Sequence, residues 1–252
     1  MKNPEIPKII HYCWFGGNPL PPLAVKCIES WKKYLPDYEI KEWNEDNFDV
    51  RMIPYVEEAY HMKKFAFVSD FARFYILYHH GGIYFDVDVE ILKPIDDILA
   101  KGPYMGLEKM EGSKHGRSVA VAAGLGMAAY PKHHFFGEVI EFYSKNHFVS
   151  WRGKTSGTVV RLVTKLLVQK GEISLDNISN CCDIYIYPDE YFDPMNYYTR
   201  DISITENTRT IHHYAATWVE ARHKRGLEKH RERFNNLMLR LKLSLRRVFN
   251  LK

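Results

Sequence analysis

The chain has 252 residues, of which 46% are apolar, and 35 Lys or Arg against 31 Asp or Glu leave a formal net charge of +4. That length and composition suit one sizeable soluble core. The basicity sits at one end, because residues 222–252 carry net +9 and residues 1–221 therefore −5, a sign unlike that of a nucleic-acid-binding body.

In chain order, residues 6–15 read as a buried strand, broken by Gly16-Gly17-Asn18-Pro19. Pro21-Pro22 opens a helix to about Leu35, since proline is tolerated in a first turn. Residues 38–43 alternate as a second strand, and residues 54–60 form a short helix. Residues 64–80 have helical length and stop at Gly81-Gly82. A strand is expected to follow and to run through Asp86, Asp88 and Glu90. Further strands are expected at 90–95, 104–108 and 118–127, with helices near 96–100, at 133–146 and from a Thr155–Thr158 cap to about Lys170. The alternation of strands and helices predicts an α/β fold with a mainly parallel sheet, which binds ligands beyond the carboxyl ends of its strands.

Two features carry chemistry. A continuous strand would send Asp86, Asp88 and Glu90 to one face, and unpaired charges in a dry sheet cost several kcal/mol each. An Asp-x-Asp there belongs at a solvent cleft or a cation. Hard oxygen ligands favour Mg²⁺, Mn²⁺ or Ca²⁺, and Mg²⁺ commonly binds one or two carboxylates plus substrate phosphates. On the preceding helix, Asp70 and Arg73 share a stripe with Phe74 and Leu77, which places a charged pair on a partly buried face. The Gly153–Thr158 segment lacks P-loop spacing. Cys13, Cys27, Cys181 and Cys182 show no zinc spacing, so reduced thiols in a cytoplasm are expected. The absence of long apolar runs and of a basic-then-apolar opening predicts neither a membrane span nor an export signal.

The stretch Ser69-Asp70-Phe71-Ala72-Arg73, then Leu77, Gly81-Gly82-Ile83-Tyr84 and Asp86-Val87-Asp88, resembles the sugar-binding region of the DXD-containing glycosyltransferases. These include the yeast initiating mannosyltransferase and capsular-polysaccharide transferases, and are related to clostridial glucosylating toxins. Residues 6–16 resemble the family's opening strand, and residues 212–218 its closing His-rich, Trp-ending motif. The resemblance implies a GT-A fold with flanking helices and a metal-dependent, retaining transfer of a hexose or N-acetylhexosamine from a nucleotide-diphosphate sugar. It also implies Mn²⁺ or Mg²⁺ on Asp88 and Asp86, a donor sugar gripped by Asp70 and Arg73, and Trp14, Tyr84 and Trp218 around the nucleotide. Stacking on Trp14 by analogy favours UDP. His213 is preferred as the histidine completing the metal shell, with His212 as the alternative.

The last segment, residues 222–252, reads as a basic amphipathic helix appended to a transferase domain of residues 1–221. Such a helix lies in an anionic membrane interface, each basic residue contributing on the order of 1 kcal/mol. The expected protein is a cytoplasmic enzyme, peripheral to the inner face of a cell membrane. It would serve bacterial surface polysaccharide synthesis, taking a nucleotide-sugar donor and a glycan or lipid-linked oligosaccharide acceptor, with no nucleic acid. The alternatives are a metal-dependent carbohydrate- or nucleotide-binding module, an inactive transferase, or a DxD phosphatase. For the phosphatase Glu90 stands where a Thr is needed.

Overall fold

The computed structural model describes residues 5–109, 118–149 and 157–215. Its elements are β1 (Ile9–Cys13), α1 (Pro22–Tyr34), β2 (Glu39–Trp43), α2 (Pro54–His61), α3 (Phe65–His80), β3 (Gly82–Tyr84), β4 (Val89–Ile91) and α4 (Asp96–Leu99). There follow β5 (Tyr104–Leu107), β6 (Val121–Ala122), a 3-10 turn (Ala123–Leu125), β7 (Met127–Ala129), α5 (His134–Ser144), α6 (Val159–Val168), β8 (Ser179–Cys181), β9 (Ile184–Tyr187), α7 (Asp189–Phe192) and β10 (Thr210–His212). Trp218 and the basic tail lie outside the described residues, as does the proposed boundary at 221. Among the described residues no helix is long and apolar enough to cross a membrane.

The central sheet runs β2-β1-β3-β7-β5-β9-β8, with β6 beside β5. It is mixed, which corrects the mainly parallel sheet expected from sequence. β1 pairs in parallel with β2 and β3, and β5 with β9. The pairs β3–β7, β5–β6, β5–β7 and β8–β9 are antiparallel. Parallel neighbours need long crossovers, whereas β8 and β9 are joined only by Cys182 and Asp183, both at positive φ as a tight hairpin turn requires. One 3-10 turn likewise separates β6 from β7, so the expected single strand over 118–127 is divided.

Each face of the sheet carries its own core. On one face α3 presents Val68, Phe71, Phe74 and Leu77 to α2, α5 and the sheet, all at most 1% exposed. A fully buried aromatic of this kind stabilises the fold by roughly 1.5–3 kcal/mol. On the other face Trp31 of α1 is wholly buried, and its indole donates to the Val89 carbonyl at 2.7 Å. That bond ties α1 to the strand that follows the acidic motif.

The turn from α3 into β3 is fixed by His11. Trp43 donates to its Nδ1 at 3.0 Å, so Nε2 carries the proton and donates to the Gly81 carbonyl at 3.0 Å. Burial lowers its pKa to about 4 and keeps the ring neutral. Gly82 sits at φ +95°, and a Cβ there would lie 2.5 Å from the Ile9 carbonyl. Only glycine allows β3 to approach β1 this closely.

Candidate functional site

The acidic motif is not one strand. β3 ends at Tyr84 and β4 begins at Val89, and a turn closed by the Val89 N–H on the Asp86 carbonyl, 3.0 Å, lies between them. The expected common face for Asp86, Asp88 and Glu90 therefore does not form. A turn rotates successive side chains away from the period of two that a strand imposes. Asp86 and Asp88 line one cavity of 710 Å³, whereas Glu90 points elsewhere and bonds Lys26 and His213 at 2.8 Å each.

Asp86 belongs to a buried group assembled by α3. The Arg73 guanidinium, 5% exposed, lies 3.1 Å from Asp70 and 3.2 Å from Asp86. Its Nε donates to the Ser69 carbonyl at 3.1 Å, and the group sits 5.0 Å from the centre of the Tyr84 ring. Two carboxylates flank one guanidinium, leaving a net negative charge. Burial pushes the Asp70 carboxyl up to about 6, and Asp86 adds to this; Arg73 and the Val159 N–H at the start of α6 oppose it. Gly124 is part of this group, since a Cβ there would collide with the Asp86 carboxylate.

Tyr84 is placed differently from the expectation. It is 1% exposed and does not line the cavity; its phenol donates to Asp86 at 3.0 Å. Residues 82–84 are enclosed as an interior strand, so the ring supports Asp86 from beneath. Trp14, by contrast, lines the cavity just beyond β1, its indole held by a 2.5 Å bond to the Asn18 carbonyl.

Asp88 belongs to a second group, built from the far end of the described chain. β10 pairs antiparallel with β4, and His212 Nε2 lies 3.1 Å from Asp88 Oδ1. The Ala215 N–H donates to Asp88 Oδ2 at 2.8 Å, and the His213 N–H to the Asp88 carbonyl at 2.9 Å. Burial alone would raise the Asp88 pKa, but His212 and the backbone donors bring it to about 2. Burial correspondingly opposes a charged His212, yet Asp88 lifts its pKa to about 9. Of the two histidines the sequence offered, His213 preferred and His212 as alternative, it is His212 that faces the cavity, while His213 turns to Glu90, because neighbouring strand residues face opposite ways.

Among the described residues no three His, Cys, Asp or Glu side chains form a ready cation cage. The donors nevertheless suit a hard cation that shares its shell with phosphates. The hard oxygen donors are Asp86 and Asp88; His212, protonated in its 3.1 Å pair with Asp88, would have to give up that proton before it could ligate. Sequence reasoning missed Gly124, Glu108, Asp193 and Tyr214. The last three gather only in space, where the Tyr214 phenol donates to Asp193 at 2.6 Å and stands 3.5 Å from Glu108. No spacing announces Glu108 or Asp193, and Tyr214 lies within the 212–218 motif without a role read from it.

Residues 21–104 match the family described as "Glycosyltransferase sugar-binding region containing DXD motif", a match that takes in α3 and both Asp86 and Asp88. Over those residues the chain is similar to the DXD-containing glycosyltransferases. It is 30% identical over 155 residues to "Inositol phosphoceramide mannosyltransferase 1" of Schizosaccharomyces pombe, covering 57% of this chain and 44% of that protein. It is 28% identical over 203 residues to "Uncharacterized glycosyltransferase L373" of Acanthamoeba polyphaga mimivirus, covering 77% and 75%. The match therefore spans less than half of the fungal relative. The solved structure "PaToxG Glycosyltransferase" aligns at 20% identity with a TM-score of 0.49, over 66% of this chain and 70% of that one.

Proposed function

We propose that this chain is a metal-dependent glycosyltransferase of GT-A type, moving a hexose or N-acetylhexosamine from a nucleotide-diphosphate sugar to a glycan or lipid-linked acceptor. The observation that carries the reading is that the Asp70–Arg73–Asp86 group and the Asp88–His212 pair meet in one cavity walled by Trp14. The DXD family match independently supports it.

The roles follow from the chemistry of each group. Asp70 and Asp86 accept hydrogen bonds from sugar hydroxyls, with Arg73 fixing both carboxylates and offsetting phosphate charge through its planar fork. Trp14 offers an apolar face to the base, and such stacking contributes about 1–3 kcal/mol in nucleic-acid systems. Asp88 would hold Mn²⁺ or Mg²⁺, with Asp86 reaching it directly or through water and His212 joining the shell on loss of its proton. The ion would stabilise charge on the departing diphosphate. In the reaction the bond from the anomeric carbon to the phosphate oxygen breaks, a bond from an acceptor hydroxyl oxygen forms, and the hydroxyl proton passes to the released diphosphate. Retention by front-face attack suits a cavity in which no carboxylate is marked as a nucleophile.

Acceptor and place belong to the same proposal. The fungal relative's name specifies a ceramide lipid, which supports a lipid-linked acceptor. The basic segment 222–252 would hold the protein at the cytoplasmic face of an anionic membrane, in surface polysaccharide synthesis. The deciding experiment measures nucleoside diphosphate release by the full chain with Mn²⁺ from UDP-glucose, UDP-galactose, UDP-N-acetylglucosamine and GDP-mannose. Release from at least one donor, abolished by chelation, is expected. Donor binding without release would establish a binding module or inactive transferase instead.

A further inference from the structure

One carboxylate on the cavity wall has no part in the roles above. Glu108 directly follows β5, and its N–H donates to the Ala120 carbonyl at 2.7 Å, so its backbone is anchored. Residues 104, 106 and 108 share a face of the sheet. At position 106 the glycine admits Phe192 so closely that a Cβ would lie 2.8 Å from its ring. The next residue, Asp193, is thereby buried completely near Glu108.

Asp193 Oδ2 accepts from the Tyr214 phenol at 2.6 Å and from the Lys109 N–H at 2.8 Å. A phenol has one proton to donate. At 2.6 Å against 3.5 Å it goes to Asp193, and Glu108 keeps only a contact at the limit of hydrogen bonding. No other hydrogen bond to the Glu108 carboxylate occurs among the described residues. This half-buried carboxylate on the cavity wall has acceptor capacity free for a donor that enters the cavity in place of water.

We propose that Glu108 binds a hydroxyl of the acceptor sugar, with Asp193 acting through Tyr214 as a positioning residue. The proposed cation is assigned to the Asp86–Asp88 motif, which leaves Glu108 on the same cavity wall for another ligand. A phosphate would be repelled. The rings of Tyr197 and Tyr214, 5.2 Å apart and both on the cavity wall, supply the apolar surface that a sugar's C–H face needs. Glu108 is near enough to His212 to feel its charge and has no bond to the Asp70–Arg73–Asp86 group. An acceptor hydroxyl held there would lie on the His212 side of the cavity, where the proposed diphosphate would leave.

This inference rests on the glycosyl-transfer reading, and its test separates the two. With the donor that the full chain turns over, nucleoside diphosphate release is measured against rising methyl glycosides of glucose, galactose, mannose and N-acetylglucosamine, in wild type, Glu108→Gln and Asp193→Asn. Calorimetric titration with UDP, or with GDP if GDP-mannose is the donor turned over, and thermal melting run alongside. The expected result is a rise of at least tenfold in glycoside KM for Glu108→Gln, exceeding any change in donor KM, and a smaller rise for Asp193→Asn at comparable nucleoside diphosphate affinity. An unchanged glycoside KM in Glu108→Gln would overturn the assignment. So would a parallel loss of nucleoside diphosphate affinity and melting temperature, or stimulation of the wild type by none of the glycosides. Wild type that releases no nucleoside diphosphate from any donor would instead defeat the transferase reading itself.

Discussion

The two aspartates of the motif stand two residues apart yet depend on different parts of the molecule. Asp86 is supported locally: Arg73 lies thirteen residues earlier on α3, and Tyr84 is two residues away. Asp88 is supported from a distance, by His212 and Ala215, more than 120 residues later. The first support is a buried ion group on a sixteen-residue helix packed into the core. The second is a three-residue strand paired, among the described residues, with β4 alone. Under the proposed roles, groups that grip a donor sugar would need a fixed geometry, which a rigid helix supplies. A group proposed to take up and release a diphosphate with its cation would sit at the short strand, where local opening costs less.

Substitutions at each support test that division, the largest effect being expected at Asp88. Asp88→Asn removes charge with little change of shape, and should lower metal-dependent turnover by about a hundredfold or more, equivalent to roughly 3 kcal/mol of barrier. Circular dichroism should remain native. Near-native turnover at saturating Mn²⁺ would move the metal away from Asp88.

Arg73→Lys comes next. An ammonium cannot span both carboxylates as the guanidinium does, so turnover should fall at least about tenfold and the protein should lose about 1–3 kcal/mol of stability in urea unfolding. Loss of stability with full activity would make the Asp70–Arg73–Asp86 group purely structural.

The histidine pair sharpens the comparison. His212→Ala should weaken Mn²⁺ affinity, read by electron paramagnetic resonance, by about 10- to 100-fold, the range seen when groups supporting a metal site are removed. His213→Ala should change it less than about threefold, since its ring serves Glu90. The reverse order would show that the β10 register differs in solution.

The smallest effect is the pH dependence of Asp70. With its pKa raised to about 6, this group is a carboxylate able to accept sugar hydroxyls only above that pH, so kcat/KM should decline as pH falls through about 6. Asp70→Asn should lack that limb. Folding stability linked to Asp70 runs the other way: ionisation is harder in the folded state than in the unfolded chain, so this contribution improves as pH falls from about 6 towards 4. A limb that persists in Asp70→Asn would belong to another group.

By itself the sequence determined what is local. The opening strand, the α3 helix with its glycine stop, the Asp70–Arg73 pair and the acidic motif were all legible, because helical spacing and glycine conformation act over a few residues. Tertiary structure alone decided the rest. Short links such as Cys182–Asp183 made the sheet mixed, and a turn at Asp86 sent Glu90 away from the cavity. The β10–β4 register chose His212 over His213, and enclosure of β3 placed Tyr84 beneath the site. Asp193, Tyr214 and Glu108 meet only because Gly106 lets Phe192 pack closely on β5. Each of these depends on which distant segment a strand pairs with, and hydrophobic periodicity carries no information about that choice.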